Sequence, residues 1–160
     1  MSMSTPIETE RKYLIKLPTE QQLKENNCNK TGISQTYLKR NDPKVERRVR
    51  KKTASGVTAY YYTEKRKISN MSRGEVERKI SQNEYEALLL EGEKSLVKDR
   101  YTFYYVEQYF ELDIYPDWEN EAILEIELAS EQQEVVFPDW ITVIKEVTGD
   151  DRYKNANLAK

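Results

Sequence analysis

Apolar and polar residues alternate through most of this 160-residue chain, and this alternation limits its possible folds more than any other feature. Residues at i, i+2 and i+4 of a strand share one face, so sustained alternation predicts strands rather than helices. Polar turns are predicted at 41–43, 55–56 and 116–117, and another at 106–108 although it has no Gly or Pro. The pattern predicts eight strands, at 7–16, 33–39, 45–52, 57–67, 72–80, 96–105, 109–115 and 121–129.

Three segments carry helix signals instead of strand signals. Thr19 and Ser81 each stand three residues before a Gln or Glu, which is the spacing of a capping box at a helix start. A third helix is predicted at 138–147, with Pro138 at its first position and Gly149 just past its end. The fold class is therefore α+β, with strands in the majority.

One face of the predicted strands is charged. Arg48 and Arg50 flank Val49, and Glu125 and Glu127 flank an isoleucine in the same way; six of the eight strands place at least two charged residues on one face. An antiparallel sheet with one solvated side fits this pattern. So does a closed eight-stranded antiparallel β-barrel, a tunnel with a charged interior and helices packed on the outside. Such an interior needs cations for its acids and a polyanion for its bases, because burying unpaired ions is prohibitive.

The residue inventory excludes several classes of function. The 26 Lys and Arg residues nearly balance 28 Asp and Glu, for a net charge of -2, which argues against a nucleic acid polymer as partner. There is no His, which excludes His-dependent nucleophiles and His-ligated zinc. The single Cys28 can form no internal disulfide, and no apolar run approaches the roughly 20 residues of a membrane span. Residues 1–6 lack leader features, so we expect a cytoplasmic protein with no membrane partner.

A series of charged motifs, in order along the predicted strands, resembles the CYTH domain, the triphosphate tunnel metalloenzyme family, in its small bacterial-type members. Glu8-Thr9-Glu10-Arg11-Lys12 is similar to the Glu-x-Glu-x-Lys that opens the family's first strand. The other matching motifs are Gln35-Thr36-Tyr37-Leu38, Arg48-Val49-Arg50, Thr63-Glu64-Lys65, Arg73-Gly74-Glu75-Val76-Glu77, Lys98-Asp99-Arg100-Tyr101, Asp113 and Glu125-Ile126-Glu127-Leu128. The likeness spans residues 7–158, with Thr36 in place of the usual Gly and Tyr13 in place of the usual Phe.

The resemblance implies one CYTH-like triphosphate tunnel domain over residues 1–160, with its core at about 7–158, and Mg²⁺ or Mn²⁺ as cofactor. The implied metal ligands are Glu8, Glu10, Asp113, Glu125 and Glu127. The implied substrate-binding residues are Lys12, Arg48, Arg50, Lys65, Arg73, Lys98 and Arg100. The implied catalytic residues are Glu8, Glu10, Lys12 and Glu77. The rim of the site is expected to hold Lys52, Lys67, Lys79 and Glu111, whereas the roles of Glu75 and the segment 152–158 stay open.

The expected function is metal-dependent hydrolysis of triphosphates, foremost inorganic triphosphate, by attack of an activated water. Carboxylates suit Mg²⁺ or Mn²⁺, and guanidinium forks match phosphate geometry. Hydrolysis of an organic triphosphate (thiamine triphosphate or a nucleotide), adenylyl cyclase activity and a polyphosphate-binding module without turnover are alternatives. The family's class IV cyclases usually carry a His-Phe element that this chain lacks, which weakens the cyclase alternative. A monomer and a homodimer are both open.

Overall fold

The computed structural model describes residues 6–160. The expectation that residues 1–6 lack leader features therefore falls almost wholly outside the described residues. The strands are β1 Ile7–Lys16, β2 Asn29–Leu38, β3 Val45–Ala54, β4 Val57–Lys67, β5 Ser72–Ile80, β6 Gly92–Tyr105, β7 Gln108–Ile114, β8 Glu121–Glu127 and β9 Val143–Glu146. The helices are α1 Glu20–Glu25, α2 Gln82–Leu89 and α3 Asn155–Leu158, with a 3₁₀ turn at Asp151–Tyr153. None of the helices within residues 6–160 combines the length and apolar character needed to cross a membrane.

Eight strands close into an antiparallel barrel in the order β5-β4-β3-β2-β6-β7-β8-β1. β1 completes the ring because it pairs with β8 from Glu10↔Glu127 onward and with β5 at Ile7↔Gly74 to Thr9↔Ser72. Closure gives the backbone groups of every wall strand a neighbour on each side, which an open sheet cannot do at its edges. The predicted closed eight-stranded barrel is confirmed.

The apolar core lies outside the barrel wall. Phe110 and Leu112 of β7 and Leu124 of β8 are fully buried between the wall and a cover formed by α1 and residues from the segment 135–141. A second cluster packs the outer face of β2 and β3 against Tyr85 of α2. The residues that alternate with these apolar positions are left facing inward, and they are the charged ones.

Both capped helices form where predicted, but the third helix does not. The Thr19 hydroxyl accepts from the Gln22 amide, and the Gln22 side chain accepts from the Thr19 amide, which completes a capping box. The prediction of a helix at 138–147 is wrong, because Val143–Glu146 is strand β9 and pairs with β1 at Tyr13 to Ile15. β5 covers only the first residues of β1, so the exposed backbone groups beyond them need another partner, and β9 supplies it.

Pairing also decides where strands begin. β2 and β6 each start four residues earlier than predicted, because they pair with each other from Asn29↔Thr102 to Leu38↔Gly92. The turn between β6 and β7 holds Val106 and Glu107 at φ angles of 50° and 58°. A tight hairpin turn requires this left-handed backbone, which is why the turn forms without Gly.

Candidate active site

A cavity of about 250 Å³ occupies the barrel interior. Residues of β1 to β8 and of the final segment of the chain supply its walls. The acidic lining residues are Glu8, Glu10, Glu46, Glu75, Glu77, Glu111, Glu125 and Glu127. The basic lining residues are Lys12, Arg48, Arg50, Lys52, Lys65, Arg73, Arg100 and Lys154. The cavity is therefore ionic on all sides, yet its acids and bases are equal in number.

Six buried side-chain polar atoms within residues 6–160 lack a hydrogen-bond partner, and all six belong to residues on the inner face of the barrel. They are Oε2 of Glu8, Oε1 of Gln35, Oγ1 of Thr63 and the Nε atoms of Arg48, Arg50 and Arg73. Leaving such an atom unpaired costs about 1–3 kcal/mol. Their concentration in one place indicates a site built for a polar ligand rather than for stability.

The strongest positive wall lies on β3. Arg48 and Arg50 are 6% and 4% exposed, and strand alternation points both inward past Val49. Burial lowers the pKa of Arg50 to about 10, and the positive charges of Arg48 and Arg100 add to the effect. Guanidinium groups that are buried side by side repel one another, and a multivalent anion bound between them would offset that repulsion.

The opposing acidic wall combines β1 and β8. Burial raises the pKa of Glu10 to about 8, and the neighbouring Glu125 adds to the effect. Burial would also raise the pKa of Glu125, but Lys12 and Arg100 outweigh it and hold that pKa well below its usual range. The Lys12 ammonium lies 3.4 Å from Glu125 Oε1. Among residues 6–160, the cation closest to Glu10 is Arg73, whose Nη2 lies 3.9 Å from Glu10 Oε1.

These acids fit a hard divalent cation as a donor set. Burial raises the pKa of Glu8 and of Glu10, and the negative charge of the nearby Glu125 adds to both shifts. Oε2 of Glu8 is buried 3.4 Å from the Lys65 ammonium without a hydrogen bond. Mg²⁺ and Mn²⁺ prefer such oxygens. Residues 6–160 contain no group of three acids already arranged as metal ligands, so the individual ligand assignments stay predictions.

Two predicted site residues, Lys98 and Asp113, lie behind the cavity wall and do not line the cavity. The Lys98 ammonium donates to Asp113 Oδ2 at 2.7 Å, and Arg100 donates from Nε and Nη2 at 2.7 and 2.9 Å. Both Asp113 oxygens are thereby engaged, and the two side chains are 1% exposed or less. Burial would raise the pKa of Asp113, but Arg100 and Lys98 lower it. Lys98 and Asp113 thus hold Arg100 from below, and their roles as a substrate ligand and a metal ligand stay predictions.

The other predicted site residues all line the cavity, although their individual roles stay predictions. They are Glu8, Glu10, Lys12, Arg48, Arg50, Lys65, Arg73, Glu77, Arg100, Glu125 and Glu127. Two residues expected at the rim, Lys52 and Glu111, also line it. Glu111 accepts from Arg100 Nη1 at 2.6 Å. Glu111 and Asp113 are two residues apart on β7, so strand alternation alone predicts that the Glu111 side chain points inward.

Several lining residues, Tyr37 and Asn155 among them, are not predicted from the sequence to belong to the site. Tyr37 is buried, and its hydroxyl accepts from Gln35 Nε2 at 2.6 Å. Tyr37 belongs to a family motif, so a signal was present. Asn155 comes from the last segment of the chain and hydrogen-bonds to Tyr115. Strand periodicity does not reach that segment, so only the tertiary structure could bring Asn155 to the cavity.

Comparison with known proteins identifies similar chains that are named triphosphatases. No protein-family model matches the sequence. An inorganic triphosphatase from Acetivibrio thermocellus is 38% identical over 104 residues, covering 62% of this chain and 65% of the relative. The chain thus spans just under two thirds of that relative's length.

Two solved structures share the fold. The crystal structure of the inorganic triphosphatase NE1496 superposes with a TM-score of 0.61 at 29% identity, over 99% of this chain and 97% of that one. The PH1819 protein from Pyrococcus horikoshii OT3 superposes with a TM-score of 0.56 at 19% identity, over 76% and 80% of the two chains, which shows the fold alone. The first structure and the Acetivibrio relative support the family resemblance found in the motifs.

Proposed function

We propose that this chain is a metal-dependent hydrolase of inorganic triphosphate. The proposal is carried by the barrel interior, where acids and bases in equal number line one cavity and the unpartnered buried polar atoms all face inward. A polyanion and a divalent cation together match both sets of charge, whereas either one alone matches only one set. Similarity to two proteins named inorganic triphosphatases supports the choice of substrate.

The bases of the cavity would hold the triphosphate. Arg48 and Arg50 present Nε atoms that have no partner within residues 6–160, so both can donate to phosphoryl oxygens. Arg100 is fixed in place by Asp113 and Glu111 before any ligand arrives. A pre-fixed guanidinium loses little freedom on binding, which favours both affinity and stabilisation of the transferring group.

Glu8, Glu10, Glu125 and Glu127 would hold the metal, either Mg²⁺ or Mn²⁺. When bound, the metal would neutralise phosphoryl charge and lower the pKa of a water molecule. Asp113 would contribute through Arg100 instead, because its oxygens are already engaged.

Hydrolysis joins the oxygen of water to the terminal phosphorus while the bridging P–O bond breaks, giving orthophosphate and pyrophosphate. Glu77, whose Oε1 lies 3.1 Å from Arg50 Nη2, would accept the proton of that water. Burial would raise the pKa of Glu77, but Arg50 and Lys52 lower it, which keeps the carboxylate ionised as a general base requires. Lys12, on the acidic wall, would offset charge that develops on the phosphoryl oxygens.

A substrate panel tests the proposal. The purified protein is given Mg²⁺ or Mn²⁺ with triphosphate, pyrophosphate, ATP or thiamine triphosphate, and the release of phosphate is measured. We expect the highest kcat/KM on triphosphate and no release with EDTA. Tight metal-dependent binding without release would contradict the enzyme and leave a binding module. Preference for an organic triphosphate would overturn the choice of substrate.

Glu10→Gln tests the site. We expect turnover of triphosphate to fall by about 10²–10³, because the amide lacks the charge that offsets a divalent cation. The unfolding midpoint should not fall, since the change removes a carboxylate crowded by Glu125. Glu86→Gln on the exposed face of α2 is the matched control and should keep full activity. Wild-type turnover in Glu10→Gln would refute the metal assignment.

A further inference from the structure

Lys52 lines the barrel cavity but takes no part in the proposed hydrolysis. It follows Arg48 and Arg50 at the third inward position of β3, close to the turn that leads into β4. Lys51, the residue before it, is exposed on the outer face of the same strand. Two adjacent lysines thus stand on opposite sides of the barrel wall, one in the cavity and one in solvent.

The ammonium of Lys52 has no carboxylate within 4.0 Å among residues 6–160, although two acids lie on the neighbouring cavity walls. Glu77 Oε1 lies 3.1 Å from Arg50 Nη2, and Glu111 Oε2 lies 2.6 Å from Arg100 Nη1. Both acids are therefore held by guanidinium groups. Lys52 lacks the close counter-charge that keeps a buried lysine protonated.

The surroundings of Lys52 favour its neutral amine. Burial lowers the pKa of Lys52 to about 8, and the positive charges of Arg50 and Arg100 add to the effect. The Tyr61 ring, whose centroid lies 4.9 Å from the ammonium, favours the charged form by only about 0.5–1 kcal/mol and does not cancel the effect of burial. At pH 8 such a lysine is about half neutral, against roughly 0.4% for an ordinary lysine.

The cavity selects the reagent that reaches this amine. A neutral lysine is a nucleophile, and it attacks an activated carbonyl carbon. Arg50, the next inward residue of β3, has a buried Nε without a partner within residues 6–160, so it can donate to a phosphoryl oxygen. An acyl group joined to phosphate would be concentrated beside Lys52 by that contact, whereas an uncharged acyl donor would not.

We propose that Lys52 is a site of covalent acylation by acyl phosphates such as acetyl phosphate, with the phosphoryl group of the donor held by Arg50. The Lys52 nitrogen forms a bond to the carbonyl carbon while the bond from that carbon to the phosphate oxygen breaks. Orthophosphate leaves and takes the proton of the nitrogen. The amide that remains is uncharged, so the cavity lining loses one cation. This step is separate from the proposed hydrolysis, because it breaks a C–O bond rather than a P–O bond.

Acetylation rates at the two adjacent lysines test the proposal. The full chain with Mg²⁺ is incubated with acetyl phosphate at pH 8, and fragment-ion mass spectrometry of a peptide that spans both residues gives the rate at each. We expect Lys52 to react about tenfold or more faster than Lys51, because the gain in neutral amine exceeds the loss of nucleophilicity that a lower pKa brings. The rate at Lys52 should saturate with acetyl phosphate, whereas the rate at Lys51 should rise linearly.

Orthophosphate tests whether the phosphoryl group of the donor is bound. We expect it to slow acetylation of Lys52 by competition and to leave Lys51 unchanged. Sodium chloride at the same ionic strength is the control for screening and should slow Lys52 much less. Lys52→Arg keeps the positive charge but has no amine to acylate, so it should remove the saturable part of the acetylation.

The outcomes separate this inference from the proposed function. Equal rates at Lys51 and Lys52 would overturn it, and so would a rate at Lys52 that neither saturates nor responds to orthophosphate. Neither result bears on the release of phosphate from triphosphate. If triphosphate is not hydrolysed, the proposed function fails, and the acetylation rates still decide the role of Lys52.

Discussion

At the scale of single residues, the partners of an inward charge decide what it can do. Glu125 and Asp113 both face inward, but Glu125 lines the cavity, whereas Asp113 is engaged by Lys98 and Arg100. Arg48 and Arg100 differ in the same way, since Arg48 keeps an unpartnered Nε and Arg100 is held by two acids. A group such as Arg48, whose Nε has no partner among the described residues, is suited to bind a ligand. Groups such as Asp113 and Arg100, which hydrogen-bond to each other, hold the cavity wall in place.

The support beneath Arg100 makes a prediction about stability. Asp113→Ala leaves Lys98 without its buried counter-charge and Arg100 with Glu111 as its close partner, which should lower the free energy of unfolding by about 3–5 kcal/mol. Glu84→Ala breaks the exposed pair with Arg78 at 3.1 Å and should cost no more than about 1 kcal/mol. Urea denaturation of both variants measures the difference. Equal small losses would show that the Asp113 network does not hold the barrel.

At the scale of elements, the edges of β1 organise the molecule. β8 takes one edge, while β5 and β9 divide the other. β9 leads into the final segment, whose residues Lys154 to Ala156 form part of the cavity wall. Backbone bonds in both directions between Ser95 and Lys160 fix the end of that segment to β6. The position of the final segment in the cavity wall therefore depends on β9 and on the turn that follows it.

Gly149 controls that turn. Its φ is +74°, and an added Cβ would lie 2.9 Å from Asn70 Cγ, so Gly149→Ala combines backbone strain with a clash. We expect it to lower the free energy of unfolding by about 1–2 kcal/mol and to reduce activity by displacing the wall. Gly32→Ala is the control, because its Cβ would meet no atom nearer than 3.8 Å. Thermal unfolding with parallel assays checks both variants; a harmless Gly149→Ala would contradict this role.

At the scale of the whole molecule, the barrel reverses the usual distribution of polarity. Its apolar core lies between the wall and the outer cover, and its ionic groups face one another inside. This arrangement leaves buried polar atoms unpaired, which lowers stability in exchange for a site that is ready to bind. Stability and ligand binding should therefore be strongly linked.

Thermal shift measures that linkage. Triphosphate and Mg²⁺ together, near 100 times the dissociation constant, should stabilise the protein by about 2.7 kcal/mol, which raises the unfolding midpoint by about 5–10 °C. EDTA should remove most of the shift, because triphosphate alone leaves the acidic wall uncompensated. Sodium sulfate at the same ionic strength is the control for salt effects. A shift of the same size with EDTA would show that metal is not part of the site.

The sequence by itself determined the wall strands and the inward charges, because both depend on local periodicity. Alternation alone places Arg48, Arg50, Glu125 and Glu127 on shared faces, and backbone capping fixes the start of α1. The choice between a one-sided sheet and a barrel needed more than periodicity. It depends on the pairing of β1 with β5, two strands that are far apart in the sequence.

Only the tertiary structure decided the rest. Residues 143–146 form a strand because β1 has backbone groups to satisfy, and Asp113 is engaged because its position brings Lys98 and Arg100 within hydrogen-bond distance. The cavity of about 530 Å³ beside the barrel interior is lined by the β2–β3 loop, the β4–β5 turn and the segment 149–157, none of which follows strand periodicity. Periodicity tells which way a side chain points, whereas the identity of its neighbours follows from long-range pairing that no local pattern contains.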